Sequence, residues 1–186
     1  YVSFVIRPAV VKNYNQISTE NINNDQFGII IQGQVETDGD AKFICETLKI
    51  YSRIFQNSKI VLSTWKGSRI NSFDFKNFKN LYIIENDKPS KSGNFNINYQ
   101  ITSTASAITY LKKHDIKYIL KTRTDCRIYK PNTLSFLKSM IDVFPAKKGS
   151  MRIFSLNLLT TKFRIYGLSD IFLFGNVNDM ELYFKP

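Results

Sequence analysis

Cysteine and histidine are scarce in this chain, which limits the metal and redox sites it can build. The 186 residues include two cysteines, Cys45 and Cys126, and one histidine, His114. Two cysteines this far apart do not suggest a disulfide framework or a zinc site, and they favour a reducing, cytoplasmic setting. A single histidine argues against a histidine-based metal cluster or catalytic triad. We interpret His114 as structural, because it follows a predicted helix whose C-terminal dipole favours cations.

Long apolar runs and the common glycine-rich phosphate motifs are also missing. No stretch of about 18 apolar residues occurs, so the sequence predicts no membrane-spanning helix. No signal peptide is visible at the start of the sequence. Neither the Gly-x-Gly-x-x-Gly dinucleotide fingerprint nor the Gly-Lys-Ser/Thr of the P-loop is present. These absences exclude the commonest nucleotide-binding motifs, but they leave other ways of binding a nucleotide open.

Positive charge is in excess. Lysine and arginine total 26 against 15 acidic residues, which gives a net charge of +11. The apolar fraction of 43% is that of an ordinary globular domain. The charge favours an anionic partner: nucleotide phosphates, nucleic acid or an anionic membrane surface. We expect residues 1–26 to form a strand and a polar linker, and 27–186 to form a single domain. A native chain that ends at residue 186 and a truncated one that continues beyond it both stay open.

Strand and helix patterns alternate along the chain. Apolar runs predict strands at residues 27–35, 59–65, 81–85, 118–122, 151–159 and 171–174. Helical spacing predicts helices at 40–56, 94–113 and 131–143. Thr37 and Asp40 form a capping signal for the first helix, and Pro131 occupies an early position of the third. The alternation predicts an α/β fold with three layers: a mainly parallel sheet with helices on both faces.

The most informative stretch is 118–129, a buried strand that ends in charge. Lys121, Arg123, Asp125 and Arg127 fall within seven positions. Ligands of α/β proteins bind at the carboxyl ends of the strands, so chemistry is expected here. A carboxylate among cations can bind a metal while the cations face phosphates. A structural salt bridge explains the same residues, and both interpretations stay open.

Other predicted strand and helix ends carry polar or aromatic side chains. Gln32 and Gly33 end the first of these strands, where a glycine lets the backbone come close to a ligand. Trp65, the only tryptophan, ends the second strand, and either packing or ligand contact explains it. Three polar residues begin the helix predicted at 94–113: Asn94, Asn98 and Gln100. Asp170 precedes the last predicted strand and is the best second carboxylate for a site.

Five segments, taken in order, resemble a known family. They are 31–33 (Ile-Gln-Gly), 60–65 (Ile-Val-Leu-Ser-Thr-Trp), 96–104 (Asn-Ile-Asn-Tyr-Gln-Ile-Thr-Ser-Thr), 120–125 (Leu-Lys-Thr-Arg-Thr-Asp) and 169–175 (Ser-Asp-Ile-Phe-Leu-Phe-Gly). Together they are similar to the WavE family of lipopolysaccharide-synthesis proteins, which are glycosyltransferase-like proteins of bacterial surface-polysaccharide pathways. The resemblance covers residues 27–176, most of the chain.

The resemblance implies a GT-A type, Rossmann-like nucleotide-sugar-binding fold. It implies a hexosyltransferase-like enzyme that moves a sugar from a nucleotide sugar to a lipopolysaccharide or other surface-polysaccharide acceptor, a glycolipid or oligosaccharide. Such an enzyme would work in the cytoplasm, with peripheral contact at the inner face of the membrane. If the reaction inverts the anomeric centre, Asp170 would be its catalytic base; inversion and retention both stay open. Nucleotide-sugar contacts are expected from Gln32, Gly33, Trp65, Asn94, Asn98, Gln100, Lys121, Arg123 and Arg127.

The same resemblance places Asp125 at the metal-binding Asp-x-Asp element, as a catalytic ligand of Mn²⁺ or Mg²⁺. The second acidic position of that element is Arg127 in this chain, and Tyr99 stands where the family pattern has a basic residue. Metal-dependent and metal-independent transfer therefore both stay open.

Two other interpretations are compatible with the sequence. One is a catalytically silent domain that binds nucleotide sugar. The other is a basic nucleic-acid-binding module, supported by the net charge and by ten tyrosines and fifteen phenylalanines. The basic residues are dispersed, however, and no specific nucleic-acid motif occurs.

Overall fold

The computed structural model describes residues 24–72, 75, 77–148, 151–157 and 167–185. Their strands are β1 (Phe27–Gln32), β2 (Lys59–Trp65), β3 (Leu81–Asn86), β4 (Tyr118–Arg123), β5 (Ile153–Ser155) and β6 (Phe172–Asn176). Their helices are α1 (Asp38–Ile54), α2 (Ile97–Lys112), α3 (Thr133–Val143) and α4 (Val177–Tyr183). The strand predicted at 1–11 and most of the linker after it lie outside the described residues.

The strands form one sheet in the order β3-β2-β1-β4-β6-β5. β1 pairs in parallel with β2 and β4, and β2 pairs in parallel with β3. β6 runs antiparallel to β4, and β5 runs antiparallel to β6. The prediction of a mainly parallel α/β sheet is confirmed. All six residues of β1 are buried, because this central strand is covered on both faces.

Helices cover both faces of the sheet. Ile29 and Ile31 of β1 belong to one apolar cluster, together with side chains of α1 and α3. Ile30 belongs to a second cluster, with side chains of α2 and α4. Successive side chains of a strand point to opposite faces, so the isoleucine run of β1 supplies both cores. The result is the predicted three-layer arrangement.

The ends of several elements differ from the predictions. α1 begins with the predicted capping box: Thr37 Oγ1 accepts from the backbone N–H of Asp40 at 3.1 Å, and the Asp40 carboxylate accepts from the Thr37 N–H at 3.0 Å. α3 begins at Thr133 after an Asn132 cap, so Pro131 lies just outside the helix. Of the strand predicted at 151–159, Ile153–Ser155 pairs with β6, and residues 158 and 159 lie outside the described residues.

The start of α2 also departs from the prediction. The predicted helix begins at residue 94, but Asn94–Asn96 is a separate 3₁₀ turn. Phe95 and Asn96 have φ angles of 54° and 60°, in the left-handed region that non-glycine residues rarely occupy. The Asn96 side chain makes no capping hydrogen bond. A chain that reverses its backbone twist here cannot continue as one α-helix.

Cys45 and Cys126 are free thiols. His114 follows α2, and its Nδ1 lies 2.8 Å from the Tyr110 carbonyl oxygen. The short α4, which follows β6 directly, was not predicted. In the part of the chain that the structure describes, every helix is too short or too polar to cross a bilayer.

Candidate functional site

A cavity of about 370 Å³ opens at the edge where β1, β2 and β4 end. β2 and β3 lie on one side of β1 in the sheet, and β4 lies on the other side. The strand order therefore reverses at β1, and this edge contains the topological switch point of the sheet. Ligands of open α/β sheets bind at such points. The cavity is lined by Gln32, Gly33, Gln34, Asp40, Trp65, Phe95, Asn96, Tyr99, Gln100, Arg123, Thr124, Asp125 and Asp170.

The antiparallel direction of β6 brings two distant carboxylates together. Thr122 of β4 pairs with Phe172 of β6, so the residues after β4 lie beside those before β6. Arg123 joins the two groups. Its Nε and Nη2 donate to Asp125 Oδ1 and Oδ2 at 2.9 and 2.7 Å, and its Nη1 donates to Asp170 Oδ2 at 3.1 Å. Three of the predicted site residues therefore form one ion-paired group in the cavity wall.

Arg123 and Asp125 stabilise each other in their charged forms. Partial burial acts to raise the pKa of Asp125, but the hydrogen bonds and charge of Arg123 outweigh it and hold the pKa below its usual value. The hydrogen bonds to Asp125 in turn raise the pKa of Arg123 further. Burial raises the pKa of the neighbouring Cys126 thiol to about 11. At neutral pH the site therefore holds ionised Asp125, cationic Arg123 and a protonated thiol.

Lys121 lies beneath the cavity and outside its lining. Its side chain is buried, and its Nζ donates to the backbone carbonyl oxygen of Asp170. Burial lowers the pKa of Lys121 to about 8, even though the charge of Asp170 acts in the opposite direction. The predicted contact between Lys121 and a nucleotide does not fit this position. The lysine holds the chain segment that carries Asp170.

The depressed pKa of Lys121 predicts a pH-dependent stability. The folded protein resists protonation of Lys121 until the pH falls to about 8, whereas the unfolded chain takes up the proton near the ordinary value of 10.5. Between these values the unfolded state binds more protons, so the free energy of unfolding rises with pH in this window. The rise is expected to be absent in Lys121→Met. Urea unfolding of both proteins at pH values from 7 to 10 measures the difference between their free energies of unfolding. A difference that does not change with pH would contradict the prediction.

Arg127 also lies away from the cavity. Its fully buried side chain donates from Nε to Thr47 Oγ1 and from Nη2 to the Phe43 carbonyl oxygen, both at 2.8 Å. The guanidinium carbon lies 4.0 Å from the centre of the Phe43 ring. The chain turns over α1 after Asp125, and this turn carries Arg127 to the helix. The predicted contact of Arg127 with phosphate does not fit this geometry.

The polar residues at the start of α2 divide into two groups. Gln100 lines the cavity, and its Nε2 donates to the Phe95 carbonyl oxygen at 3.3 Å. Asn94 and Asn98 do not line it. Asn98 donates instead to the Lys91 carbonyl oxygen at 3.0 Å, and Asn94 lies in the exposed turn. Their predicted nucleotide contacts do not fit these positions.

The predicted residues of the first two strand ends do reach the cavity. Trp65 is buried but lines the cavity. The centroid of its ring lies 5.3 Å from that of the Tyr99 ring. Gln32 and Gly33 line the cavity as well. At Gly33 φ is 147°, and a Cβ would clash with Thr124 Oγ1. Glycine is needed here because the loops after β1 and β4 touch.

The sequence patterns do not identify several lining residues, and Phe95 is a prominent one. Its side chain is 76% exposed although it is large and apolar. A signal for it was present: Phe95 lies off the stripe of Ile97, Ile101 and Ile108 that packs α2, so helix packing does not account for it. Asp40 also lines the cavity, although its sequence pattern indicates only a role in capping α1. Backbone strain and exposure at a cavity mouth are typical of ligand contacts.

The residues present do not fit a divalent metal. Asp40, Asp125 and Asp170 line the cavity, but both oxygens of Asp125 accept from Arg123, and Asp40 Oδ2 accepts from Thr37. Within the described ranges, no three His, Cys, Asp or Glu side chains converge as ligands. A Mg²⁺ or Mn²⁺ site needs several oxygen ligands at close range. The predicted role of Asp125 as a metal ligand is therefore not supported by the donor set.

Residues 27–183 match the family described as WavE lipopolysaccharide synthesis. The chain belongs to this family. Membership confirms the resemblance carried by the five sequence segments, and it supports glycosyl transfer as the general class of chemistry. No protein of curated function matches the chain.

Solved structures with a similar fold are distant in sequence. A 4-diphosphocytidyl-2C-methyl-D-erythritol synthase from Anaerococcus prevotii has 13% identity and a TM-score of 0.49, over 88% of this chain and 75% of that one. The galactosyltransferase LgtC with donor and acceptor sugar analogs has 15% identity and a TM-score of 0.47, over 83% and 59%. S. aureus TarS has 14% identity and a TM-score of 0.48, over 86% and 54%. The chain spans little more than half of the last two proteins.

Proposed function

We propose that this protein transfers a sugar from a nucleotide sugar to a lipopolysaccharide or other surface-polysaccharide acceptor. Family membership supports the pathway. The structural observation that carries the proposal is the convergence of Arg123, Asp125 and Asp170 in a cavity at the switch point of the sheet. Nucleotides bind α/β proteins at this position.

The cavity offers the three features that the reaction needs. A cation at Arg123 can stabilise charge on the departing diphosphate. The carboxylate of Asp170 can take the proton of the acceptor hydroxyl. Trp65, Tyr99 and Gln32 line the cavity and offer a surface for the nucleoside, and the exposed ring of Phe95 lines it too. Each role goes to a side chain that the cavity already presents.

The proposed step is a direct displacement with inversion. The acceptor oxygen forms a bond to the anomeric carbon as its proton passes to an Asp170 oxygen. The bond between the anomeric carbon and the diphosphate oxygen breaks, and its electron pair leaves with the nucleoside diphosphate. Asp170 suits the base because one of its oxygens is held by Arg123 and its side chain is 26% exposed to the cavity. Asp125 does not suit it, since Arg123 occupies both of its oxygens.

Nucleotide binding is the direct test. A thermal-shift panel of nucleoside diphosphates, nucleotide sugars and single-stranded oligonucleotides should show the largest shift with a nucleotide sugar. A ligand at about a hundred times its Kd adds roughly 2.7 kcal/mol of stability. Gln100→Ala, in the cavity, should reduce the shift, and Asn94→Ala, outside it, should not. Equal stabilisation by oligonucleotides would contradict the proposal, and binding without turnover would indicate a silent domain.

A membrane contact is proposed from the outer surface of α3. Phe136, Val143 and Phe144 are all exposed there and recur at helical spacing. Lys147 and Lys148 follow at once and are exposed too. Exposed aromatic side chains beside lysines are typical of surfaces that bind anionic lipid. The one acid in this segment, Asp142, is neutralised by Lys138 at 2.6 Å, so the surface stays basic.

Vesicle binding measures this contact. The protein should sediment with vesicles of phosphatidylglycerol and phosphatidylcholine and much less with phosphatidylcholine alone. Phe136→Ser with Phe144→Ser should abolish binding, and Lys147→Gln or Lys148→Gln should weaken it about fivefold, from roughly 1 kcal/mol per lysine. Leu182→Ser removes an exposed apolar residue of α4 and is the control. Equal vesicle binding by the control and the test variants would contradict the proposal. A protein that dimerises through the α3 surface would contradict it as well.

A further inference from the structure

We propose that Asp125 does not hold a metal ion but fixes Arg123 as the cation that receives the diphosphate. The inference rests on the proposed function. It assigns Arg123 as the group that binds the departing diphosphate, and it makes nucleotide binding independent of a divalent metal. Asp125 is then a positioning residue, which acts through Arg123, and Arg123 is the residue that touches the substrate.

The hydrogen bonds of Arg123 show how it is oriented. A guanidinium carries five N–H donors in a rigid plane. Asp125 takes the edge formed by Nε and Nη2, through two bonds of 2.9 and 2.7 Å, the paired geometry that fixes an arginine most firmly. Asp170 takes one donor of Nη1. Two donors therefore have no partner among the described residues, and the side chain is 39% exposed in the cavity wall.

The same two hydrogen bonds make Asp125 a poor ligand for a metal ion. Ligation would require at least one Asp125 oxygen to leave Arg123, and the ion would then lie close to a fixed positive charge. The position two residues later, where a second acidic ligand is expected, is Arg127, whose side chain is buried against α1. The chain therefore has an arginine, buried against α1, at the position where a metal site would need a second carboxylate.

The remaining donors suit a diphosphate. Arginine binds phosphate oxygens through two parallel N–H bonds, and it keeps its charge at any physiological pH. The backbone beside it is held as well, because the Thr124 N–H donates to the Gln32 carbonyl oxygen at 3.0 Å. A cation fixed before the substrate arrives stabilises developing negative charge without reorganisation. This is the task that a metal ion performs in other transferases.

Calorimetric titration tests the proposal first on the unaltered protein. UDP, GDP and CDP are each titrated in excess EDTA and again with Mg²⁺ or Mn²⁺. We expect the best of the three to bind with the same affinity in all conditions. Binding that disappears in EDTA and returns with Mn²⁺ would show that a metal is required and would overturn the assignment. Absence of binding by the folded protein in every condition would overturn the proposed function, and this inference with it.

Variants separate a positioning role from a purely structural one. Arg123→Gln and Asp125→Asn should each weaken diphosphate binding at least about tenfold, the scale of a lost charge-assisted hydrogen bond, in EDTA as well as in metal. The affinity for the uncharged nucleoside should stay unchanged, which a general loss of structure would not allow. Asp125→Glu, which keeps the carboxylate, should recover part of the affinity. Equal loss for nucleoside and diphosphate, or no loss for either variant, would overturn the proposal.

Discussion

Asp170→Asn is expected to lower turnover about a hundredfold or more, the usual scale for loss of a general base. The amide keeps an oxygen that can accept from Arg123 Nη1, as Asp170 Oδ2 does at 3.1 Å in the wild type. It cannot take a proton from the acceptor hydroxyl. Nucleotide affinity should therefore change little while the chemical step slows. Steady-state kinetics and calorimetric titration, run side by side, measure the two effects separately.

A matched substitution at the end of β3 provides the control for Asp170. Asp87 is an exposed carboxylate paired with Lys66 at 2.8 Å, and it does not line the cavity. Asp87→Asn should leave both turnover and affinity unchanged. If Asp170→Asn keeps full turnover, another group is the base. If it abolishes nucleotide binding in a folded protein, Asp170 belongs to the donor side of the site and its assignment to the acceptor is wrong.

Arg127→Ala is expected to lower the free energy of unfolding by about 3 kcal/mol, the scale for breaking a buried charged hydrogen-bond network. The substitution removes the donor to the Thr47 hydroxyl oxygen and empties the space over the Phe43 ring. It also removes one donor to the Phe43 carbonyl oxygen, which keeps its bond from Thr47 Oγ1. Buried polar groups that lose a partner bear the full cost of desolvation. Urea unfolding, followed by circular dichroism, measures the loss.

An exposed arginine is the control for Arg127. Arg69 lies 3.7 Å from Asp38 at the surface, and such pairs contribute little. Arg69→Ala should change stability by less than about 0.5 kcal/mol. Nucleotide affinity decides between the two roles of Arg127. An Arg127→Ala protein that is as stable as the wild type but binds nucleotide weakly would restore the phosphate contact suggested by the sequence and contradict the structural role.

The sequence predicted the fold better than it predicted the site. Isoleucine runs and helical stripes report burial directly, and burial decides where strands and helices pack. The strand-end rule also brought Gln32, Trp65, Arg123 and Asp170 to one edge, because the carboxyl ends of parallel strands meet there and β6 runs the other way. Such a rule locates backbone positions, and it does not say which way a side chain turns.

The misplaced residues show this limit. Lys121 and Arg123 point to the same face of β4, since they lie two positions apart, but Lys121 is one step deeper and is covered by the segment that carries Asp170. Arg127 follows a turn whose direction depends on distant partners in α1. Phe95 depends on two left-handed backbone positions that no local pattern predicts. Lys121 and Arg127 are placed by contacts that are distant in sequence, whereas Phe95 is placed by its own backbone conformation.

The order of the strands has a consequence for synthesis of the chain. β4 lies between β1 and β6, yet β6 begins at Phe172, long after β4 ends at Arg123. While the ribosome makes the intervening residues, one edge of β4 has no neighbour, and an open edge is a template for association with other chains. The charge of Lys121 on this strand opposes such pairing. A recombinant fragment that stops before Ser169 would keep the open edge and lack Asp170, so it would be prone to aggregate and its site would be incomplete.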